Sequence, residues 1–189
     1  YKFMVEAFLP ERMELLLGQQ PVQELWTDSQ SNLKLPVSGR YLYGAPASGN
    51  RLTTKVVLKP NRHPIKSLEN YYFGAEDEKP PVMFFDHDDM TLDEQGLANL
   101  DIPSRWNNVI NSPFTIKVVC SLFETGGRPV NRSIDYNLWP QPTLIGIRSQ
   151  TKLEDIISNS EVSFDVIKAN AKGELQTQGE LIATLIKER

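Results

Sequence analysis

Only one cysteine, Cys120, stands among the 189 residues, which excludes an internal disulfide and any cysteine-rich metal site. Two histidines, His63 and His87, are too few on their own for a convincing metal centre or triad chemistry. No apolar run approaches the roughly 18–20 residues that a membrane-spanning helix needs. Residues 1–6 show no basic stretch followed by an apolar one, so no signal peptide is read there. Neither sign of charge dominates: 20 basic residues face 24 acidic ones along the chain, and the formal net charge is −4. With no basic stripe to attract a phosphate backbone, nucleic acid is not an expected partner. Glycine-rich phosphate loops, Gly-x-Ser-x-Gly elbows and His-Glu-x-x-His motifs are absent as well.

What is present is period-2 alternation, broken every few residues by turn signals, with little sustained 3.6-residue periodicity. Residues 1–8 are extended and aromatic-rich, residues 13–17 form a short apolar run stopped by Gly18, and residues 19–31 read as a polar loop. Leu33, Leu35 and Val37 alternate with Lys34, Pro36 and Ser38. The stretch runs on to Tyr43 and stops at the small-residue turn 44–50. Residues 52–59 alternate Val and Leu with Thr and Lys. Residues 61–89 are irregular, and their apolar islands, 71–73 and 82–85, are expected to pack as a flap or an edge strand. Met90-Thr91-Leu92 and residues 97–102 flank Asp93-Glu94-Gln95-Gly96, a hairpin signal. Residues 114–123 give the clearest strand, with Phe114, Ile116, Val118, Cys120 and Leu122 on one face. Gly126-Gly127 turns that strand into residues 130–138.

About seven strands in roughly 140 residues predict an all-β fold, a seven-stranded antiparallel β-sandwich. Pro140-Gln141-Pro142 marks a boundary between residues 1–140 and residues 141–189. Beyond it come a strand at 144–148, a loop or short helix at 152–159, and a meander from 162–169 and 179–186. Three strands are too few to close a second sandwich. The chain therefore reads as one and a half sandwich domains cut from a longer protein.

Each candidate for chemistry has a plainer explanation. Asp86-His87-Asp88-Asp89, with Asp93 and Glu94, offers the hard oxygen ligands that suit calcium, but the spacing is not that of an EF-hand loop. Solvated charges at a loop-to-strand junction account for it. Cys120 lies on the apolar face of its strand, the place of a small buried hydrophobe and not of a nucleophile. Paired carboxylates of the glycosidase kind have no apolar cleft to hold them. Tyr41, Tyr43, Tyr71, Tyr72, Trp106 and Trp139 invite comparison with a sugar-stacking face, yet aromatics at i and i+2 mostly pack in sandwich cores. Asn131-Arg132-Ser133 formally matches a glycosylation acceptor beside a tight turn. No residue is assigned a catalytic, cofactor-binding or metal-ligating role, and no cofactor is expected.

Several strings together resemble the bacterial alpha-2-macroglobulins. Val5-Glu6-Ala7-Phe8-Leu9-Pro10-Glu11-Arg12-Met13 is similar to the entry into one macroglobulin-like domain of that family, and Gly39-Arg40-Tyr41-Leu42-Tyr43-Gly44-Ala45-Pro46-Ala47-Ser48-Gly49-Asn50 to the strand and turn that follow it. Leu92-Asp93-Glu94-Gln95-Gly96 and Leu122-Phe123-Glu124-Thr125-Gly126-Gly127-Arg128-Pro129-Val130 resemble the later hairpins. Leu144-Ile145-Gly146-Ile147-Arg148 and Leu185-Ile186-Lys187-Glu188-Arg189 look like strands of the next domain. The resemblance implies the fifth macroglobulin-like domain and the start of the sixth, from a periplasmic lipoprotein that inhibits proteases broadly by trapping them. Its partners would be proteases, met through the parent protein, and the neighbouring macroglobulin-like domains. The family's thioester motif Cys-x-Glu-Gln is absent, because Cys120 is followed by Ser121-Leu122-Phe123, so no active-site residue carries over. The resemblance thus implies a non-enzymatic scaffold piece, with an Ig-like adhesin or carbohydrate-binding module as the alternative.

Overall fold

The computed structural model describes residues 10–18, 26–28, 31–75, 84–106, 111–124, 126–151, 161–177 and 179–184. The segments read from sequence at 1–8 and 152–159 lie outside the described residues.

Eleven strands and one 3₁₀ turn, Lys66–Leu68, make up the regular structure of the described residues. The strands are β1 (Met13–Leu17), β2 (Trp26–Asp28), β3 (Leu33–Tyr41), β4 (Arg51–Pro60), β5 (Tyr72–Phe73), β6 (Phe84–Thr91), β7 (Leu97–Ile102), β8 (Phe114–Phe123), β9 (Val130–Trp139), β10 (Leu144–Ser149) and β11 (Phe164–Ala169). One sheet has the order β1-β3-β7 and a second the order β2-β9-β8-β4-β6. The fold is the expected all-β sandwich, with eight described strands where the sequence suggested about seven. The added strand is β2, inside what read as a polar loop. It runs parallel to β9, with Trp26 opposite Asn137, the one parallel pair among the described strands.

Alternation builds the core. Successive side chains of a strand point to opposite faces, so β3 and β8 each bury every second residue. Leu15, Leu35, Val37, Leu100 and Ile102 from the smaller sheet meet Leu52, Val56, Leu58, Ile116, Val118 and Leu122 from the larger one in a single cluster. Pro36 is tolerated in the middle strand of its sheet because β1 ends beside it. The Gly18 N–H donates to the Pro36 carbonyl, just past the last paired residue, Leu17. The N–H that proline lacks would face that vacated side.

The turn at Asp93 forms, but not as a hairpin within one sheet. Asp93 Oδ1 accepts from the N–H groups of Gln95 and Leu97, at 2.9 and 2.8 Å, and the Gly96 N–H donates to the Asp93 carbonyl. On its two sides, however, β6 pairs with β4 and β7 pairs with β3. The turn is a corner that carries the chain from one sheet to the other. Leu92 is buried in the core at that corner, and the Gly39 N–H bonds the Gly96 carbonyl across it. Local turn chemistry is legible in sequence; which sheet each flanking strand joins is decided by burial of Leu92 between them.

A third sheet has the order β11-β10-β5. Its core joins Ile65, Phe73, Trp139, Leu144 and Ala169. The irregular stretch after Pro60 therefore does supply an edge strand, Tyr72–Phe73, though the sheet it joins is built mainly by β10 and β11. The meander expected to end at 179–186 is shorter. After the turn at Asn170, Leu175 bridges back to Ala169, with the Gln176 N–H donating to the Lys168 carbonyl at 2.8 Å. The described residues 179–184 form no strand, while 185–186 lie outside the described residues.

Candidate functional site

The acidic run at 86–89 lies in β6, an edge of the five-stranded sheet. Between the pairs Leu52–Met90 and Thr54–His87 the register slips, one residue of β4 facing two of β6. That is a β-bulge, and a charged, bulged edge blocks pairing with another chain. The Asp89 carboxylate is occupied by Arg51 at 3.0 Å, and the Arg51 guanidinium also sits 4.2 Å above the Phe123 ring. Asp93 spends its carboxylate on turn N–H groups, as above. Among the described residues no three carboxylate, imidazole or thiolate groups converge as ligands of a metal.

Cys120 is fully buried on β8, with Sγ 3.5 Å from the Thr54 hydroxyl. Burial pushes its thiol pKa up, and the weak bond to Thr54 only partly opposes this. The same environment raises the Tyr136 hydroxyl, through burial first and the Cys120 side chain second. Thiolate is the reactive form, so Cys120 is expected to stay unlabelled by maleimide in the native protein. Its labelling should run about a thousandfold slower than in guanidinium, reporting opening of a central strand. Rapid labelling without denaturant would contradict the buried assignment.

Several described carboxylates elsewhere are paired with arginines. Glu11 receives both terminal nitrogens of Arg132, at 2.7 and 3.1 Å, and that hydrogen bonding holds its carboxyl below the usual range. Glu14 meets Arg40 at 2.5 Å. Asp165 is held by Arg148 and Gln150, which lower its pKa in the same way. All of these are solvent-accessible, and contacts of this kind orient side chains more than they stabilise the fold. The sequon at Asn131 places its middle residue, Arg132, on Glu11.

The six aromatics do not make one face. Trp106 is fully buried in the sandwich core, while Trp139 is buried in the second core, 5.5 Å from Phe73. Tyr71 packs on that second core beneath the Arg148 guanidinium, 4.9 Å from its ring, and Tyr72 meets His63 edge-on at 5.2 Å. Tyr41 and Tyr43 do lie together, stacked at 5.1 Å and 17°, with Tyr43 78% exposed. They stack on each other, and Tyr41 Oη accepts from the Asn50 amide at 3.3 Å. Beside them the described surface offers Glu11, Arg12, Leu42 and Glu124, with no convergent set of unpaired polar groups.

Sequence reasoning missed a polar cluster at the root of the segment between β4 and β5. Asn61 donates to Thr115 Oγ1 at 3.2 Å and Asn137 Oδ1 at 3.5 Å, and His63 Nδ1 lies 3.0 Å from the Tyr71 carbonyl. The fully buried Ser112 accepts from the Ala75 N–H at 3.1 Å. The signal was available in Pro60-Asn61, a strand end followed by a residue that bonds backbone and side chain alike.

Known proteins agree on where this architecture belongs. The family model described as the bacterial alpha-2-macroglobulin MG5 domain matches residues 11–140. The alpha-2-macroglobulin of Escherichia coli (strain K12) is 32% identical over 203 residues, covering 100% of this chain and 12% of the relative. That of Xylella fastidiosa is 34% identical over 191 residues, covering 97% and 11%. Among solved structures, the native conformation of the E. coli protein superposes with a TM-score of 0.74 at 32% identity, over 90% of this chain and 11% of that one. Salmonella alpha-2-macroglobulin reacted with methylamine gives 0.73 at 35%, over 90% and 12%. The chain thus spans roughly a tenth of the length of these relatives. With the family model covering more than half of the chain and the sandwich shared, the chain belongs to the bacterial alpha-2-macroglobulin family.

Proposed function

We propose that this chain is a scaffold segment of a protease-trapping protein of the bacterial envelope, a broad-spectrum endopeptidase inhibitor of the periplasm whose parent is anchored as a lipoprotein. Residues 1–140 are read as one macroglobulin-like domain, the fifth, and residues 141–189 as the opening of the next. Neither part is read as enzymatic. The observation that carries the proposal is the match along the full chain to alpha-2-macroglobulins, of which the E. coli protein has been solved activated by trypsin and by porcine elastase. The local chemistry supports a frame: the buried thiol, the carboxylates paired with arginines and the bulged, charged edge strand leave the segment's work to rigid packing. Stiff sandwiches let a cut elsewhere in a molecule be passed on as rigid-body motion.

The test has two arms. The parent carrying this segment, mixed with trypsin, is expected to protect a large protein substrate while a small peptide substrate is still cleaved. Equal cleavage of both substrates, with and without the parent, would sink the trapping role. The 189-residue chain alone is expected to leave trypsin activity unchanged and to gain no mass with methylamine. A methylamine adduct on this chain would overturn the assignment as frame.

A further inference from the structure

We propose that residues 61–75 are a strap donated by the sandwich to the sheet that follows it, and that β10 and β11 depend on this strap for their order. The strap leaves β4 at Pro60 and is tied at both ends to the sandwich. At its start the Asn61 N–H donates to the Pro113 carbonyl at 3.0 Å, in addition to the side-chain bonds to Thr115 and Asn137. At its end the Ala75 N–H donates to buried Ser112. It closes on itself, with the Phe73 N–H donating to the Arg62 carbonyl at 3.0 Å. Gly74 has a φ of +87°, and a Cβ there would collide with the buried Ser112, whose own Cβ would lie 2.5 Å away, so the return of the chain at this point requires glycine.

The tip of the strap is what the next sheet uses. Tyr72 and Phe73 pair antiparallel with Ile147 and Gly146 of β10. Phe73 is fully buried, and a Cβ on Gly146 would stand 2.8 Å from two of its ring carbons. Gly146 is thus the floor on which the Phe73 ring lies. Of the five buried residues in this second core, the strap supplies Ile65 and Phe73, β9 supplies Trp139, and only Leu144 and Ala169 come from β10 and β11. An isolated two-stranded hairpin is marginal in water, so β10–β11 needs the third strand and the borrowed core. The dependence runs one way, because the sandwich has its own complete core without these residues. Pro140 and Pro142 therefore sit beside a clamped joint and do not act as a free hinge, and a movement of the sandwich carries β10 and β11 with it.

Hydrogen exchange resolved by peptide mass on the 189-residue chain tests this. In Phe73→Ala, and independently in Gly146→Val, amides of β10 and β11 are expected to lose about tenfold or more of their protection while those of β4 and β8 stay within about twofold of the parent values. Unchanged protection of β10 and β11 in either variant would show that the sheet stands alone. Loss in step across β4 and β8 would show one indivisible core, and either result overturns the proposal. A second measurement does not depend on how well those variants fold. Tyr72→Cys with Ile147→Cys, both partly exposed and directly opposite, is expected to be joined by a short bis-alkylating thiol reagent, with neither single variant giving the same cross-linked peptide. Absence of that cross-link removes the strap from its place on β10.

Discussion

Gly96→Val is expected to cost about 3 kcal/mol of unfolding free energy, whereas Gly49→Val, at nearly the same backbone angle, is expected to cost about 1. The φ angles are +75° and +71°, so both positions carry the left-handed penalty that any side chain incurs there. What differs is the space. Around Gly49 a Cβ would meet nothing within 4 Å. At Gly96 it would collide with the Gly39 carbonyl oxygen, and beyond that stand the Ala47 nitrogen at 3.1 Å and Pro46 Cβ at 3.2 Å. Two of these three neighbours are backbone atoms, and they belong to the corner where the chain changes sheets, so nothing there can swing aside as a flexible side chain would. Relief would require breaking the Gly39–Gly96 hydrogen bond, which seats the corner over buried Leu92. Paired urea titrations of the two variants provide the check. Equal midpoints would mean that backbone angle alone sets the cost and that the corner is looser than its contacts indicate.

The corner also shows how far sequence carries a fold of this kind. Asp93 and Gly96 announce a turn through their own chemistry, because the carboxylate satisfies two N–H groups and glycine accepts positive φ. Alternation likewise marks the buried face of β3, β4 and β8 residue by residue. Neither signal says which strands become neighbours, since pairing partners lie tens of residues apart and are chosen by packing between the sheets. That is why a hairpin was the natural reading where the structure has a crossover. Residues 26–28 are a sharper case. Three residues hold no periodicity to detect, and their pairing with Asn137–Trp139 is parallel and distant in sequence. The strap is legible only in part: Tyr72 and Phe73 read as a flap or an edge strand, but the sheet they join stays hidden because their partners, Gly146 and Ile147, come more than seventy residues later. Candidate chemistry was easier to judge, since a thiol at an inward position of an alternating strand is buried by the same rule that builds the core. The acidic run needed the structure, because only the pairing of β6 shows the bulge and the Arg51 partner of Asp89.

Trp106 offers the largest stability effect among the aromatics, and it separates a scaffold from a ligand-binding sandwich. Trp106→Ala is expected to destabilise the chain by about 3–5 kcal/mol, the range for emptying a buried aromatic site, and Trp106→Phe by only about 1–1.5. The contrast follows from two facts. The side chain is fully buried within the sandwich core, just beyond the end of β7, so its removal leaves a cavity that close-packed strands cannot collapse around. Its indole nitrogen is buried and has no hydrogen-bond partner among the described residues, so phenylalanine loses volume and forfeits no bond described there. Denaturant midpoints measured at constant m-value give both numbers. A tryptophan that stacks on a sugar behaves in the opposite way: truncation abolishes binding and hardly moves the midpoint, because a stacking face must be open to its ligand. If Trp106→Ala unfolded at the parent midpoint, the ring would have to be leaving the core in solution, and the aromatic-platform reading would regain its strongest member. A cost in the expected range instead ties Trp106 to the packing that keeps the sandwich stiff, the property a frame needs to pass motion on.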